Sequence, residues 1–147
     1  MTSTPLTFEF FNEIGIIDQL ASTMFVNALP AGMTKAQFTV LNHFVRLNLN
    51  EKSPADLANA FQVRRPTMTS TLARMQQAGL VRIRHDPDDG RAKLVAITAA
   101  GRDMRERCIF GLADLIPAMA SIISNDEMQA LLPTLKKLRA ALDSARD

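Results

Sequence analysis

Between Leu57 and His85 the chain carries five arginines, Arg64, Arg65, Arg74, Arg82 and Arg84, and no aspartate or glutamate. Each guanidinium is a planar fork of N–H donors that never loses its charge, which suits phosphate oxygens and base edges. Thr67, Thr69 and Ser70 stand among them, short hydroxyls that contact a backbone or a base without bulk. A basic run is also what an ordinary solvated surface looks like, so its meaning depends on the elements that display it. A second cluster, Asp86-Pro87-Asp88-Asp89-Gly90-Arg91, sets three carboxylates just ahead of an arginine. Free carboxylates would repel a polyanion. Asp89 is therefore expected to hold the Arg91 side chain by a charge-assisted hydrogen bond. An arginine on a narrow finger suits a minor groove, whose negative potential deepens where it narrows. The bland reading of the same residues is a polar hairpin tip.

Other chemistries find little support. Only two histidines are present, His43 and His85, and no nucleophile–base–acid set, phosphate-cradling glycine loop or metal set stands out. Asp86-x-Asp88-Asp89-Gly90 is similar to the start of a calcium loop but lacks the closing ligand and flanking helices. No catalytic residue, metal or cofactor is expected. Cys108 is the single cysteine, which excludes an internal disulfide and a cysteine-rich zinc site. It reads as a small hydrophobe rather than a redox sensor. Eight phenylalanines with no tryptophan or tyrosine argue against stacking platforms for single strands. His43 is the one candidate for lining an effector pocket; a satisfied core or interface histidine is its ordinary reading. No apolar run approaches the roughly 18 residues of a membrane span, and no base precedes Lys35. The expected location is the cytoplasm, with no membrane partner.

The 147 residues suit one ordinary domain with a dimerisation element. Apolar residues from Leu6 to Leu29 recur at mixed spacings of three and four, too many for one stripe. They predict a helix buried on two faces, one against a partner chain. Thr34-Lys35-Ala36-Gln37 is a capping box for a second helix. Ser53-Pro54-Ala55-Asp56 starts a short third one. Gln62 and Val63 make a turn into a helix from Arg65 to Ala78, and Gly79 ends it. There Met68, Leu72 and Met75 form one buried stripe, leaving Arg65, Thr67, Thr69, Ser70 and Arg74 on the other face. Pro66 fits the first turn. Leu80 to Arg84 alternates apolar and basic, and Ala92 to Thr98 returns, so a β-hairpin is predicted. Thr98 opens a long helix to about Ile123, bent or interrupted at Pro117. Ser124 opens a last one to about Ala145, with a kink expected at Pro133.

The order is mostly α with a small β-hairpin wing, a winged helix-turn-helix flanked by dimerisation helices. In such a motif the second helix enters the DNA major groove. Ala55-Asp56-Leu57-Ala58, Arg65-Pro66-Thr67-Met68-Thr69, Gly79-Leu80-Val81, Asp86-Pro87-Asp88-Asp89-Gly90-Arg91 and Ile97-Thr98-x-x-Gly101 carry a resemblance. Over essentially the whole chain, the sequence resembles the MarR family of bacterial transcription regulators. The resemblance implies an obligate homodimer whose first and last two helices interlock. It implies a recognition helix in each half-site and a wing Arg91 in the minor groove. It further implies release of DNA by a small, often aromatic and acidic, effector, or in other members by cysteine oxidation. Here Arg64 stands where a small capping residue is usual, Ser70 where arginine is frequent, Thr71 where an apolar residue is common and Ala73 where an acid is common.

The expectation is one protomer over residues 1–147, with 34–98 binding DNA and 1–33 and 99–147 dimerising. Double-stranded DNA, a second copy and a small effector are the expected partners, and repression from a near-palindromic operator the expected action. Arg64, Arg65, Pro66, Thr67, Thr69, Ser70, Arg74, Arg84 and Arg91 form the expected DNA-binding set. A winged-helix module that binds protein instead of DNA is the alternative. Charge distribution favours DNA. The net +2 of the chain divides into −3 over residues 1–34, +5 over 35–93 and 0 over 94–147.

Overall fold

The computed structural model describes residues 4–146; residues 1–3 and 147, the outermost positions of the segments assigned to dimerisation, lie outside it. The elements follow in the order α1 (Thr4–Ala28), α2 (Lys35–Arg46), α3 (Pro54–Ala60), α4 (Arg65–Gln77), β1 (Val81–His85), β2 (Lys93–Ile97), α5 (Ala99–Leu112), α6 (Leu115–Ala120) and α7 (Asn125–Ser144). Local signals start most of them. Thr34 Oγ1 accepts the Gln37 N–H, and Gln37 reaches back to the Thr34 N–H. Ser53 accepts the Asp56 N–H, and Ser124 with Glu127 closes a second reciprocal box. These contacts satisfy N–H groups that a helix start otherwise leaves unpaired.

The core lies between α2, α3, α4, the hairpin and α5. Phe44, Leu41, Leu57, Leu72, Met75, Val40, Val95 and Cys108 are fully buried there. In the hairpin Val81 faces Ile97 and Ile83 faces Val95, antiparallel, so the inward residues of both strands share one face. Lys52 adds a further bridge: it exchanges both backbone hydrogen bonds with Val95, at 3.0 and 2.8 Å. The polar stretch from Asn48 to Lys52 thus borders the sheet.

Three chain segments meet at Thr98. Its N–H donates to the Leu80 carbonyl at 3.1 Å, its hydroxyl donates to the Gly79 carbonyl at 2.6 Å, and its Oγ1 accepts the Gly101 N–H at 3.0 Å. Gly79 takes a left-handed φ of +75°, which only glycine adopts without steric cost. Gly101 packs directly on the Leu80 carbonyl, where a Cβ would also press on Ile97. The Thr-x-x-Gly spacing is thereby explained: threonine starts α5 and glycine lets it lie against the end of the α4 segment.

The interruption expected at Pro117 falls just ahead of it in the chain. The long helix to Ile123 is broken into α5 and α6, and α6 ends at Ala120. Pro117 lacks the N–H that would reach the Ala113 carbonyl, so the ladder opens at Ala113 and Asp114. At Pro133, by contrast, α7 runs through as one helix. Gln129, whose carbonyl loses its helical partner, is exposed, so water is available to it.

The flanking helices remain largely uncovered. Leu6 is 75% exposed, Phe110 85% and Ile122 78%, and Leu131, Leu132, Leu135 and Leu142 of α7 are also exposed. No helix among the described residues is long and apolar enough to cross a membrane. Gly101→Ala should lower the thermal midpoint, because an added methyl at this contact costs about 1–3 kcal/mol. Calorimetry checks this, and an unchanged midpoint would show that the junction yields.

Candidate nucleic-acid interface

The helix expected to enter DNA is α4. Its N-cap is Arg64, whose side chain makes no capping hydrogen bond. The first-turn N–H groups are therefore left to an outside acceptor, at the positive end of the helix dipole. Pro66 in the first turn costs nothing there, because its missing N–H would be unpaired anyway. Met68, Leu72 and Met75 are buried in the core. Arg65, Thr67, Thr69, Ser70 and Arg74 are exposed, as the periodicity predicts.

Grooves flank the exposed face. Thr67, Ser70, Thr71 and Arg74 line one of about 440 Å³ against Thr34 and Gln37 at the start of α2. The other, of about 330 Å³, separates Thr69, Ala73 and Gln76 from Ile83, Lys93 and Arg91 of the wing, with Pro54 at its edge. The structure thus brings Thr69 and Arg91 to one cleft between helix and wing.

The tip spends its carboxylates differently from expectation. Asp89 Oδ1 accepts the backbone N–H of Arg91 at 3.1 Å, and Asp86 Oδ1 accepts that of Asp88 at 2.9 Å. Bonds of this kind, from an aspartate to the N–H two residues on, are the easiest for so short a side chain. Asp89 shapes the backbone at Arg91 rather than holding its guanidinium.

Arg84 is the second difference. Its Nε and Nη2 donate to the two carboxylate oxygens of Glu51, each at 2.8 Å. It differs from Arg65 and Arg74, whose side chains have no hydrogen-bond or ion-pair partner among the described residues. The hydrogen bond from Arg84 holds the Glu51 carboxyl below its ordinary range, opposed by partial burial. Arg82 shares the outer face of β1 with Arg84 by strand alternation. Arg82, Arg84, Glu51 and Arg102 line a cleft of about 310 Å³. The arginine run that looked continuous therefore splits between the α4 face and the opposite face of the wing.

His43 packs edge-on against Phe61, with ring centroids 4.9 Å apart. Burial, then the charges of Arg46 and Lys52, lowers its pKa, and the ring serves as a packing aromatic. Cys108 is fully buried, and burial pushes its thiol pKa up, against the charge of Arg107. A buried thiol of raised pKa is a poor nucleophile.

Sequence reading passed over Glu51 and Arg146. Arg146 pairs with Asp143 at 3.2 Å and donates to the Val63 carbonyl in the turn before α4. Beside it lies an apolar cavity of about 430 Å³ between α1 and α7, lined by Phe11, Ile14, Leu135, Leu138 and Leu142, with Arg139, Arg146, Asp143 and Gln62 at its edge. No local pattern marks these residues, because their partners are distant in sequence.

Residues 31–92 match the family model described as MarR family. Over 76 residues the chain is 36% identical to the transcriptional activatory protein BadR of Rhodopseudomonas palustris, covering 51% of this chain and 43% of BadR. The matched stretch is thus less than half of that relative. A cysteine-to-serine mutant of MarR from E. coli, solved with operator DNA, is 25% identical with a TM-score of 0.82, covering 94% of this chain and 99% of that one. BpsR of Bordetella bronchiseptica, described as regulated in its DNA binding by 6-hydroxynicotinic acid, is 23% identical with a TM-score of 0.78, covering 89% and 98%. The order of elements and the wing agree with these structures, and residues 31–92 are similar to the MarR family.

Proposed function

We propose that the protein is a homodimeric regulator that reads a near-palindromic operator in double-stranded DNA and is released by a small effector. One observation carries the DNA reading. Thr69 on the exposed face of α4 and the wing Arg91 line one cleft, Thr67, Ser70 and Arg74 line the groove on the other side of the helix, and the helix start is left without a side-chain cap. In this reading residues 34–98 contact DNA. Arg64, Arg65, Arg74 and the first-turn N–H groups take phosphates, Thr67, Thr69 and Ser70 approach base edges, and Arg91 enters the minor groove. Whether a bound dimer represses or activates depends on where its operator lies relative to the promoter. Repression by occlusion is the simplest consequence of occupancy alone.

Surface area supports dimerisation through residues 1–33 and 99–147. The protomer exposes 10533 Å², whereas a compact monomer of 16.2 kDa exposes about 7,500 Å². The excess lies where α1, α6 and α7 present phenylalanine, isoleucine and leucine to solvent. Obligate dimers bury areas of this order. Two recognition helices related by a two-fold axis require half-sites about one helical turn apart.

The cavity between α1, α7 and Gln62 supports the effector reading. Its walls are apolar, its edge carries Arg139 and Arg146, and Arg146 also bonds the turn ahead of α4. An aromatic acid matches that chemistry, as 6-hydroxynicotinic acid does in the description of BpsR. A ligand drawing Arg146 away from Val63 would change the support of the recognition helix.

Sedimentation should show a dimer, and Leu20→Glu with Leu131→Glu should shift it toward monomer; a wild-type monomer at micromolar concentration would sink the dimer reading. Fluorescence anisotropy with a duplex selected by the wild-type protein from a random-sequence pool tests DNA binding. Affinity should fall steeply with salt, at a log–log slope near −0.9 per phosphate neutralised. Arg91→Ala should weaken binding by about 1–3 kcal/mol, and unchanged affinity would remove the wing contact. In the same assay benzoate should release the duplex, and Arg139→Gln should blunt that release. Release by benzoate undiminished in the variant would place the effector elsewhere.

A further inference from the structure

The wing is a two-stranded hairpin, and such a hairpin is marginal by itself in water. Its base is well held. Val81, Val95 and Ile97 are buried, and Lys52 adds both backbone bonds to Val95. Its outer half is not. There Arg84 faces Leu94 and His85 faces Lys93. Beyond them the tip from Asp86 to Ala92 makes its hydrogen bonds within itself, among the described residues.

One side-chain tether reaches this outer half from the body, the two-point contact of Arg84 with Glu51. A planar fork on a carboxylate fixes orientation as well as distance. The anchor is firm, because Glu51 immediately precedes Lys52, which is itself bonded into the sheet. On the other face Ile83 and Lys93 approach Leu72, Ala73 and Gln76 of α4 across the cleft that Arg91 lines. The angle of the wing is thus set from both sides.

We propose that Glu51 is a positioning residue for the wing: by gripping Arg84 it fixes how the tip carries Arg91 toward DNA, and it keeps Arg84 out of the phosphate contacts. This rests on the DNA-binding function proposed above. The effect is geometric rather than energetic. The side chains are 52% and 32% exposed, and a pair so open to water adds little to stability. Its loss should leave the fold intact. The charge of Arg84 is also drawn toward Asp86 and Asp88 at the tip, so without Glu51 the arginine has other partners and the hairpin another resting angle.

The test compares Glu51→Gln, Arg84→Gln, the reversed pair Glu51→Arg with Arg84→Glu, and Arg91→Ala. In the free protein, hydrogen exchange at the Arg84, Lys93 and Leu94 amides should quicken in both single variants and recover in the reversed pair. On the selected duplex, each single variant should bind roughly fivefold to tenfold more weakly, a part of what loss of Arg91 costs. Glu51→Gln should have little further effect in an Arg91→Ala background, because both act through one contact. Affinity of Glu51→Gln for poly(dI-dC) should hold or rise, since a negative charge is gone. Arg84→Gln should leave the salt slope unchanged. The proposal is overturned if wing exchange is unaltered, or if the Glu51 and Arg91 effects simply add. It also fails if Glu51→Gln tightens binding while Arg84→Gln lowers the slope by about one phosphate. A wild type that binds no duplex would remove the function reading instead, and exchange alone would then decide the tether.

Discussion

The junction at Thr98 is the contact on which the rest of the arrangement depends. One threonine joins the end of the α4 segment, the base of the wing and the start of α5. Gly79 turns the chain out of α4 with a left-handed backbone, and Gly101 lets α5 approach the Leu80 carbonyl more closely than any side chain allows. Because α5 leads on to the uncovered helices, the same few atoms couple the reading surface to the arms. A rigid coupling of this kind is what a dimer needs if it is to hold two recognition helices at a fixed spacing.

The two halves of the protomer solve opposite problems. The winged region between α2 and β2, with α5 packed on it, buries its apolar stripe and exposes hydroxyls and guanidinium groups. The arms are incomplete. They leave leucines and phenylalanines exposed, the surface on which the proposed dimer rests. The charge pattern follows the same division, with the positive excess confined to residues 35–93. Positive charge on the arms would add repulsion between copies, whereas on the winged region it attracts a polyanion.

Much of this was legible in the sequence, for reasons that particular residues make plain. Thr34 with Gln37, Ser53 with Asp56, Thr98 with Gly101 and Ser124 with Glu127 are caps acting over three residues. Met68, Leu72 and Met75 announce a buried stripe because helical periodicity repeats within a few turns. Where the reading failed, the cause was also local. Pro117 was expected to bend or interrupt the helix, but not to end its regular course at Ala113. Asp89 was assigned to a guanidinium when a main-chain N–H two residues away was the easier partner.

What the sequence alone determined is therefore the list of elements, the polar face of α4 and the existence of a basic wing, because each is encoded by residues within one or two turns of one another. What only the tertiary structure decided is which arginines have partners. Glu51 lies 33 positions from Arg84, and Arg146 lies 83 positions from Val63. Nothing in a strand or helix pattern links residues so far apart. Their pairing exists only because packing of the core brings the α2–α3 connection beside the wing and the end of α7 beside the turn before α4.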